Sequence, residues 1–387
     1  IQRRRVLLSA SAVFRKNRPP AAMATLLRQA QEDGLEEAQV IRELADFTRR
    51  QVLIERGSTY RCKVRLFEDW LTEYGPERLL TTFTDPDPIL KRKAEEETLR
   101  KTLDSRVVQV VKNWTTYKSK PVGSAEVRAW LNQFDSPDEQ HLMLCFLEGT
   151  KFYGQALIRE RLASGHKTVV RSLVDKGIIH RIEPGQRRRK DILVSYLGPL
   201  GKSGVRHAQL YAEENEIFHE NALAETQLRN ALQTREMKPS ALVFVDDFIG
   251  TGESAIGYFK DFFGSMQQQV LEGMPLFFVV VAGFVDAADR VERALGKMGH
   301  KVRVICADPL RDGDKCFSAE SRIFPDVVER ERAQNIAYAY GKKLVPSAPL
   351  GFGNLQAAVV FETNCPNDTL PILWAEKADW RPLFPRI

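Results

Sequence analysis

Residues 243–254 read VFVDDFIGTGES. A run of β-formers meets two adjacent carboxylates, and a Gly-Thr-Gly turn follows. We place a strand at 241–245, ending at Val245, so that Asp246 and Asp247 face a crevice or a loop. Two neighbouring ionised carboxylates repel, and burying them serves no packing purpose. They make sense where each accepts hydrogen bonds from neutral hydroxyls, as on a ribose. Gly250, Thr251, Gly252, Glu253 and Ser254 then turn into a helix, offering hydroxyls and backbone N–H groups suited to a phosphomonoester. Carboxylates for a sugar and a phosphate loop a few residues on match a ribose 5-phosphate. Glu253 is the discordant residue, a negative charge inside the loop that is unwelcome unless it points away.

The flanking sequence sets this stretch in an α/β fold. ILVSYL (192–197), PLFFVVVAGFV (275–285) and KVRVICA (301–307) are apolar strand candidates, and 228–237, 254–263 and 286–299 read as helices between them. Near-continuous apolar strands alternating with helices mean a parallel sheet. Ligands of such sheets bind at the carboxyl ends of the strands. The first strand runs into GPLGKSG, residues 198–204. A Walker A motif would need its first Gly at Tyr196, so this is a near miss. The local chemistry is still that of an anion site. Gly198, Gly201, Ser203 and Gly204 let backbone N–H groups approach, and Lys202 adds a full positive charge. A polyphosphate or pyrophosphate loop and a plain strand–helix turn both remain open here.

The rest of the chain is less specific. It has 387 residues, 43% of them hydrophobic and 28% charged, which points to two or three folded domains and excludes global disorder. The net charge of +6 permits nucleic-acid contact without demanding it. Five scattered cysteines without a C-x-x-C pair argue against a disulfide framework and for a reducing, cytoplasmic setting. No apolar run reaches the ~18 residues of a membrane span. Residues 22–33 and 36–50 have helical spacing, and Val52–Glu55 and Tyr60–Val64 read as strands around a Gly-Ser turn. Further helices are expected over 89–115, 124–134, 137–150, 153–163 and 166–176. His166 and His180 read as structural residues, and GQRRRKD (185–191) as a basic loop, solvated or in contact with phosphate. We divide the chain at 1–84, 85–180 and 181–387. In the tail, Asn364, Pro366, Asn367, Asp368 and Thr369 form a turn-rich loop, where Asn364, Asn367 and Thr369 either read a base edge or only stabilise the turn.

Two resemblances follow from these residues. Residues 20–74, with Tyr60, Val64, Leu66, Phe67, Trp70 and Leu71, resemble the winged-helix domains that follow bacterial P-loop ATPase modules. The chain starts at Ile, and by this resemblance we expect it to be the C-terminal part of something longer. An associated ATPase or a nucleic acid are the partners implied. The strand, Asp-Asp and Thr-Gly loop resemble the phosphoribosyl pyrophosphate (PRPP) signature of type I phosphoribosyltransferases. More narrowly, GKSG, DDFIGTG and the tail NCPNDTLPILW are similar, in order, to the phosphoribosyltransferase-like domain of bacterial conflict systems, PRTase-CE, over about residues 122–387. That resemblance implies PRPP or a nucleotide as ligand. Asp246 and Asp247 would hold the ribose, and Gly250, Thr251, Gly252 and Ser254 the 5-phosphate. Gly198–Gly204 with Lys202 would hold the pyrophosphate, and Mg²⁺ would be bound through the ligand. It implies phosphoribosyl transfer to an unknown acceptor in an antiviral system; the alternative is a nucleotide sensor or scaffold that regulates a partner. Active members of the wider fold close a basic loop before the Asp-Asp strand. Here 205–240 reads as helices, so a substitute lid is expected from RDGDK (311–315) or the C-terminal tail.

Overall fold

A computed structural model describes residues 2–17, 19–76, 79, 101–112, 114, 116–179, 191–198, 204–234, 239–266, 268–377 and 379–386. The chain forms two compact units, residues 1–108 with 128–141, and residues 109–127 with 142–387. The middle region expected at 85–180 is thus shared between them. The expected helix start at 89–100, His180 and most of the basic loop 185–191 lie outside the described residues.

In the first unit, helix α1 (Gln2–Asn17) leads to strand β1 (Ala21–Ala22), helices α2 (Met23–Glu32) and α3 (Glu37–Arg49), hairpin β2 (Leu53–Arg56) and β3 (Thr59–Cys62), and helix α4 (Arg65–Glu73). The sheet is antiparallel in the order β1-β3-β2. Phe14, Leu26, Val40, Leu44, Phe47, Leu53, Tyr60 and Leu71 form its core. Apolar residues at i, i+4 and i+7 on α3 (Val40, Leu44, Phe47) explain why that helix buries one face.

The second unit is built on a parallel sheet. Its strands are β7 (Ile192–Ser195), β8 (Ala241–Ile249), β9 (Leu276–Phe284) and β10 (Val302–Leu310), in the order β10-β9-β8-β7. A hairpin, β4 (Thr116–Tyr117) and β5 (Lys120–Pro121), and a small parallel pair, β6 (Lys151–Tyr153) with β11 (Val359–Phe361), lie outside it. All residues of β9 are buried, as expected for a strand covered on both faces. On one face, helix α5 (Gln155–Asp175) approaches so closely that a Cβ on Gly165 would stand 2.6 Å from Val279. On the other, Phe278 meets Phe259 of helix α8 (Glu253–Gly264) edge-on at 5.4 Å. Adjacent strand residues point to opposite faces, so α5 and α8 sandwich the sheet. Helix α6 (Gly204–Glu214) packs beside α5, and helix α9 (Val285–Lys297) beside α8.

The chain order places the ligand crevice. After β7 and α6, Ala222 bridges in parallel to Val194, which adds a rudimentary strand beyond β7. The chain then returns through helix α7 (Glu225–Thr234) to β8 and continues to β9 and β10. It therefore runs outward from β7 and comes back to β8, and the winding reverses between those two strands. In open α/β sheets the crevice opens at the carboxyl ends of that pair. The motifs beginning at Gly198 and Asp246 follow or end these two strands.

Two local expectations need correction. The strand expected to end at Val245 runs on to Ile249, because β9 continues to offer partners as far as Gly283 opposite Ile249. The helices expected at 153–163 and 166–176 are one helix, α5, and Gly165 marks its close approach to the sheet instead of a break. His166 lies inside it, buried, with Nδ1 2.7 Å from the Tyr211 hydroxyl.

Candidate functional site

A cleft of about 750 Å³ opens at the carboxyl end of β8. Asp246, Asp247, Gly250, Thr251, Gly252 and Ser254 line one wall, and Asn364, Pro366, Asn367, Asp368 and Arg386 come from the tail. Lys118 from the β4–β5 turn and Arg206 from α6 complete its charged lining.

The two acids are fixed by neighbouring backbone. The N–H of Asp247 donates to Asp246 Oδ1 at 2.9 Å, and the N–H of Phe248 donates to Asp247 Oδ1 at 2.9 Å. Asp247 is buried, and its Oδ2 has no hydrogen-bond partner among the described residues. Leaving a buried acceptor unpaired costs free energy comparable to a lost hydrogen bond, so the site keeps an oxygen ready for a ligand donor. The opposite case sits on the far wall. Arg386 stacks its guanidinium 5.4 Å from the Trp374 ring centre, and its Nη1 is a buried donor without a partner among the described residues. Lys118 Nζ donates to Pro385 O at 2.7 Å. Burial, and then the nearby Arg386 charge, hold the Lys118 pKa below the usual lysine value. Paired cations beside unsatisfied groups favour an anion.

The turn after β8 is shaped for close approach. Gly252 has φ +83° and caps α8, and a Cβ there would stand 2.9 Å from Val291 and 3.1 Å from the Ala287 carbonyl. α8 then points its positive end at the cleft. Glu253 is exposed and does not line the cleft, and as an acid in the first turn of α8 it suits the helix dipole.

The tail closes over this turn. A Cβ on Gly353 would stand 2.6 Å from Thr251 Cγ2, and one on Gly250 would stand 2.2 Å from Asp368 Oδ1. Asn364 and Asn367 line the cleft, whereas Thr369 is fully buried and donates its hydroxyl to Val359 O at 2.7 Å, bracing β11. Residues 311–315 do not line the cleft; Asp314 Oδ2 there accepts from the Arg311 N–H, closing a turn. Of the glycine loop after β7, Gly201, Lys202 and Ser203 lie outside the described residues. Gly198 has φ +87°, and Gly204 opens α6 so close to β8 that its Cβ would stand 3.6 Å from Asp246 Oδ1. Lys118, Arg206, Asp368 and Arg386 were not singled out as site residues from sequence. Asp368 lay within the quoted tail motif, but no local pattern announced that its side chain enters the cleft.

The model of the PRTase-CE family matches residues 127–386. The chain belongs to the PRTase-CE family. Its second unit is a phosphoribosyltransferase-like domain, and the parallel sheet with the cleft at β7 and β8 fits that class. No curated protein and no solved structure matches the chain significantly.

None of the five cysteines is in a disulfide, and burial pushes the thiols of Cys62, Cys306 and Cys365 up to about 12, far from reactive. Among the described residues no cluster of three or more His, Cys, Asp or Glu could hold a metal ion.

Proposed function

We propose that the cleft binds PRPP, or a nucleotide carrying the same ribose 5-phosphate, and transfers the phosphoribosyl group to an acceptor. One observation carries this reading: Asp247 and Arg386, whose buried Oδ2 and Nη1 have no hydrogen-bond partner among the described residues, line the same cleft as a glycine turn at a helix N-terminus. Asp246 and Asp247 accept the ribose 2- and 3-hydroxyls. The backbone from Gly250 to Ser254 takes the 5-phosphate. Gly198 and Gly204, with Gly201, Lys202 and Ser203 between them, take the pyrophosphate. Mg²⁺ bound with the ligand supplies charge neutralisation for the leaving group. The protein's part is to fix C1 in line with an acceptor and to keep water out, and the tail supplies the cover.

Titration calorimetry of the full chain with PRPP and Mg²⁺ tests the site. We expect saturable binding, weakened about 10- to 100-fold in Asp247→Asn, the loss of a charged hydrogen-bond acceptor. Wild type that fails to bind, or a variant that binds equally well, refutes it.

We further propose, from the PRTase-CE family's resemblance to bacterial conflict systems, the scattered cysteines and the likeness of the first unit to winged-helix domains, that the protein acts in the cytoplasm as part of a bacterial antiviral system beside an ATPase. The element order helix, strand, two helices and hairpin supports that likeness. Docking to protein is favoured over DNA at α3. Asp46 pairs there with Arg3 at 3.1 Å and Arg50 at 2.8 Å, and with Arg49. The hydrogen bond from Arg49, more than any other contact, draws the Asp46 carboxyl below its ordinary value. An electrophoretic shift assay comparing the full chain with a variant lacking residues 1–80 checks this; DNA affinity lost with the deletion argues for DNA instead.

A further inference from the structure

The tail places a third carboxylate in the cleft, beyond the two that a ribose needs. Asp368 is 9% exposed and lines the cleft against the turn that follows β8. Its Oδ1 and Cγ stand 2.2 and 2.4 Å from where a Cβ on Gly250 would be. The carboxyl group therefore occupies the volume of a side chain on the phosphate turn itself, one residue before Thr251. Bare backbone at Gly250 is what admits it.

Its surroundings are those of a working acid or base. Asp368 feels the repulsion of Asp247 and the attraction of Arg386, and its own backbone N–H steadies the carboxylate. The other charged groups lining the cleft are Asp246, Lys118 and Arg206. Burial is the dominant influence, and the Asp368 pKa is raised to about 6. A carboxyl that titrates just below neutral pH can take a proton and release it again within one cycle. Asp246 and Asp247 are committed to ribose hydroxyls. That leaves Asp368 as the remaining carboxylate among the described residues lining the cleft.

We propose that Asp368 is the general base of the transfer, accepting the proton of the acceptor N–H or O–H as that atom bonds to ribose C1. This rests on the ribose-phosphate reading above. The bond from C1 to the pyrophosphate oxygen breaks, and its electron pair leaves with pyrophosphate. The bond from C1 to the acceptor nitrogen or oxygen forms from the acceptor's lone pair. The acceptor's proton passes to the Asp368 carboxylate and then to solvent. Nothing is oxidised or reduced, and no further reactant is needed.

The test measures pyrophosphate release by the full chain from PRPP and Mg²⁺ between pH 5 and 8, with water and with a mixture of free nucleobases and nucleosides as acceptors. PRPP affinity is measured in parallel by calorimetry. We expect wild-type turnover to rise with pH along one limb with its midpoint at about 6. Asp368→Asn should lower kcat at least about 100-fold and flatten that limb, with PRPP affinity held within about threefold. Asp368→Ala should regain activity when formate is added, because the small acid fits the space the side chain leaves. Unchanged turnover and pH limb in Asp368→Asn overturn the proposal. So does Asp368→Ala that binds PRPP normally yet is not rescued by formate, which marks a positioning role. Wild type that binds PRPP but releases no pyrophosphate under any of these conditions also overturns it. Wild type that does not bind PRPP overturns the ribose-phosphate reading beneath it instead.

Discussion

Asp368 carries its ionised form against the fold. Its carboxyl is raised from an ordinary 3.8 to about 6 by burial first. A raised folded pKa means the native state prefers the protonated acid. The stabilisation is therefore complete below about pH 4 and is lost as pH climbs through about 6. Above that, ionisation costs on the order of 2–3 kcal/mol. Asp368→Asn keeps the shape without the charge. We expect urea unfolding to show the variant more stable than wild type at pH 7.5 and equal to it at pH 4; equal stability at both would show that the charge is accommodated freely. Stability gained at the expense of function is a common signature of residues held in a site for chemistry. This residue also shows where reading the sequence reaches its end. Asp246 and Asp247 announce themselves by adjacency, because two charges at the end of an apolar strand have no packing reason to be there. Asp368 sits between Asn367 and Thr369 in a loop rich in turn formers, and only its contact with Gly250 separates it from them. Thr369, next to it, looked equally suited to a ligand and is spent on the Val359 carbonyl.

At the scale of single elements, β8 and the turn into α8 do most of the positioning. The strand was legible as far as Val245 and not beyond, since carboxylates are poor strand formers and the partners that carry it to Ile249 lie on β9. The turn was legible from its glycines. At Gly252 any other residue is strained, with φ +83° and neighbours at 2.9 and 3.1 Å from a Cβ. Gly252→Ala should destabilise the protein by at least about 1–2 kcal/mol, the cost of a left-handed conformation for an L-residue. It should also weaken PRPP binding by shifting the first turn of α8. Thermal unfolding with and without PRPP checks both; a variant that melts like wild type and keeps its ligand shift would show that the turn adapts. The glycine in α5 reads the other way. Gly165 has the look of a helix breaker, and the chain uses it to bring the helix against Val279.

At the scale of the phosphoribosyltransferase-like unit, an aromatic plug adjoins two of the residues that line the cleft, Lys118 and Arg386. Phe384 is fully buried, with Trp114 and Tyr117 each 5.2 Å away and Phe152 at 6.0 Å. It is flanked by Pro385, whose carbonyl holds Lys118, and by Arg386. Phe384→Ala should cost about 3–5 kcal/mol as an unfilled core site. At temperatures where the variant is still folded it should also lose PRPP affinity, because two of the three cleft cations, Lys118 and Arg386, are tied to this stretch. Binding that survives in the folded variant would separate the plug from the site. The parallel sheet and the order of its strands could be anticipated from alternating apolar runs and helices. The plug could not, since it joins residues near 115, 152 and 384 that share no local pattern. The fit of the Asp368 carboxyl onto Gly250 has a further meaning for how such a sequence can drift. The two positions are coupled: the 368 carboxyl fills the space a side chain at 250 would take, so a larger residue at 250 requires a change at 368. An aspartate at 250 paired with a glycine at 368 would spell the same site in a different order, and the two spellings would be separated by intermediates that have either two acids in one space or none.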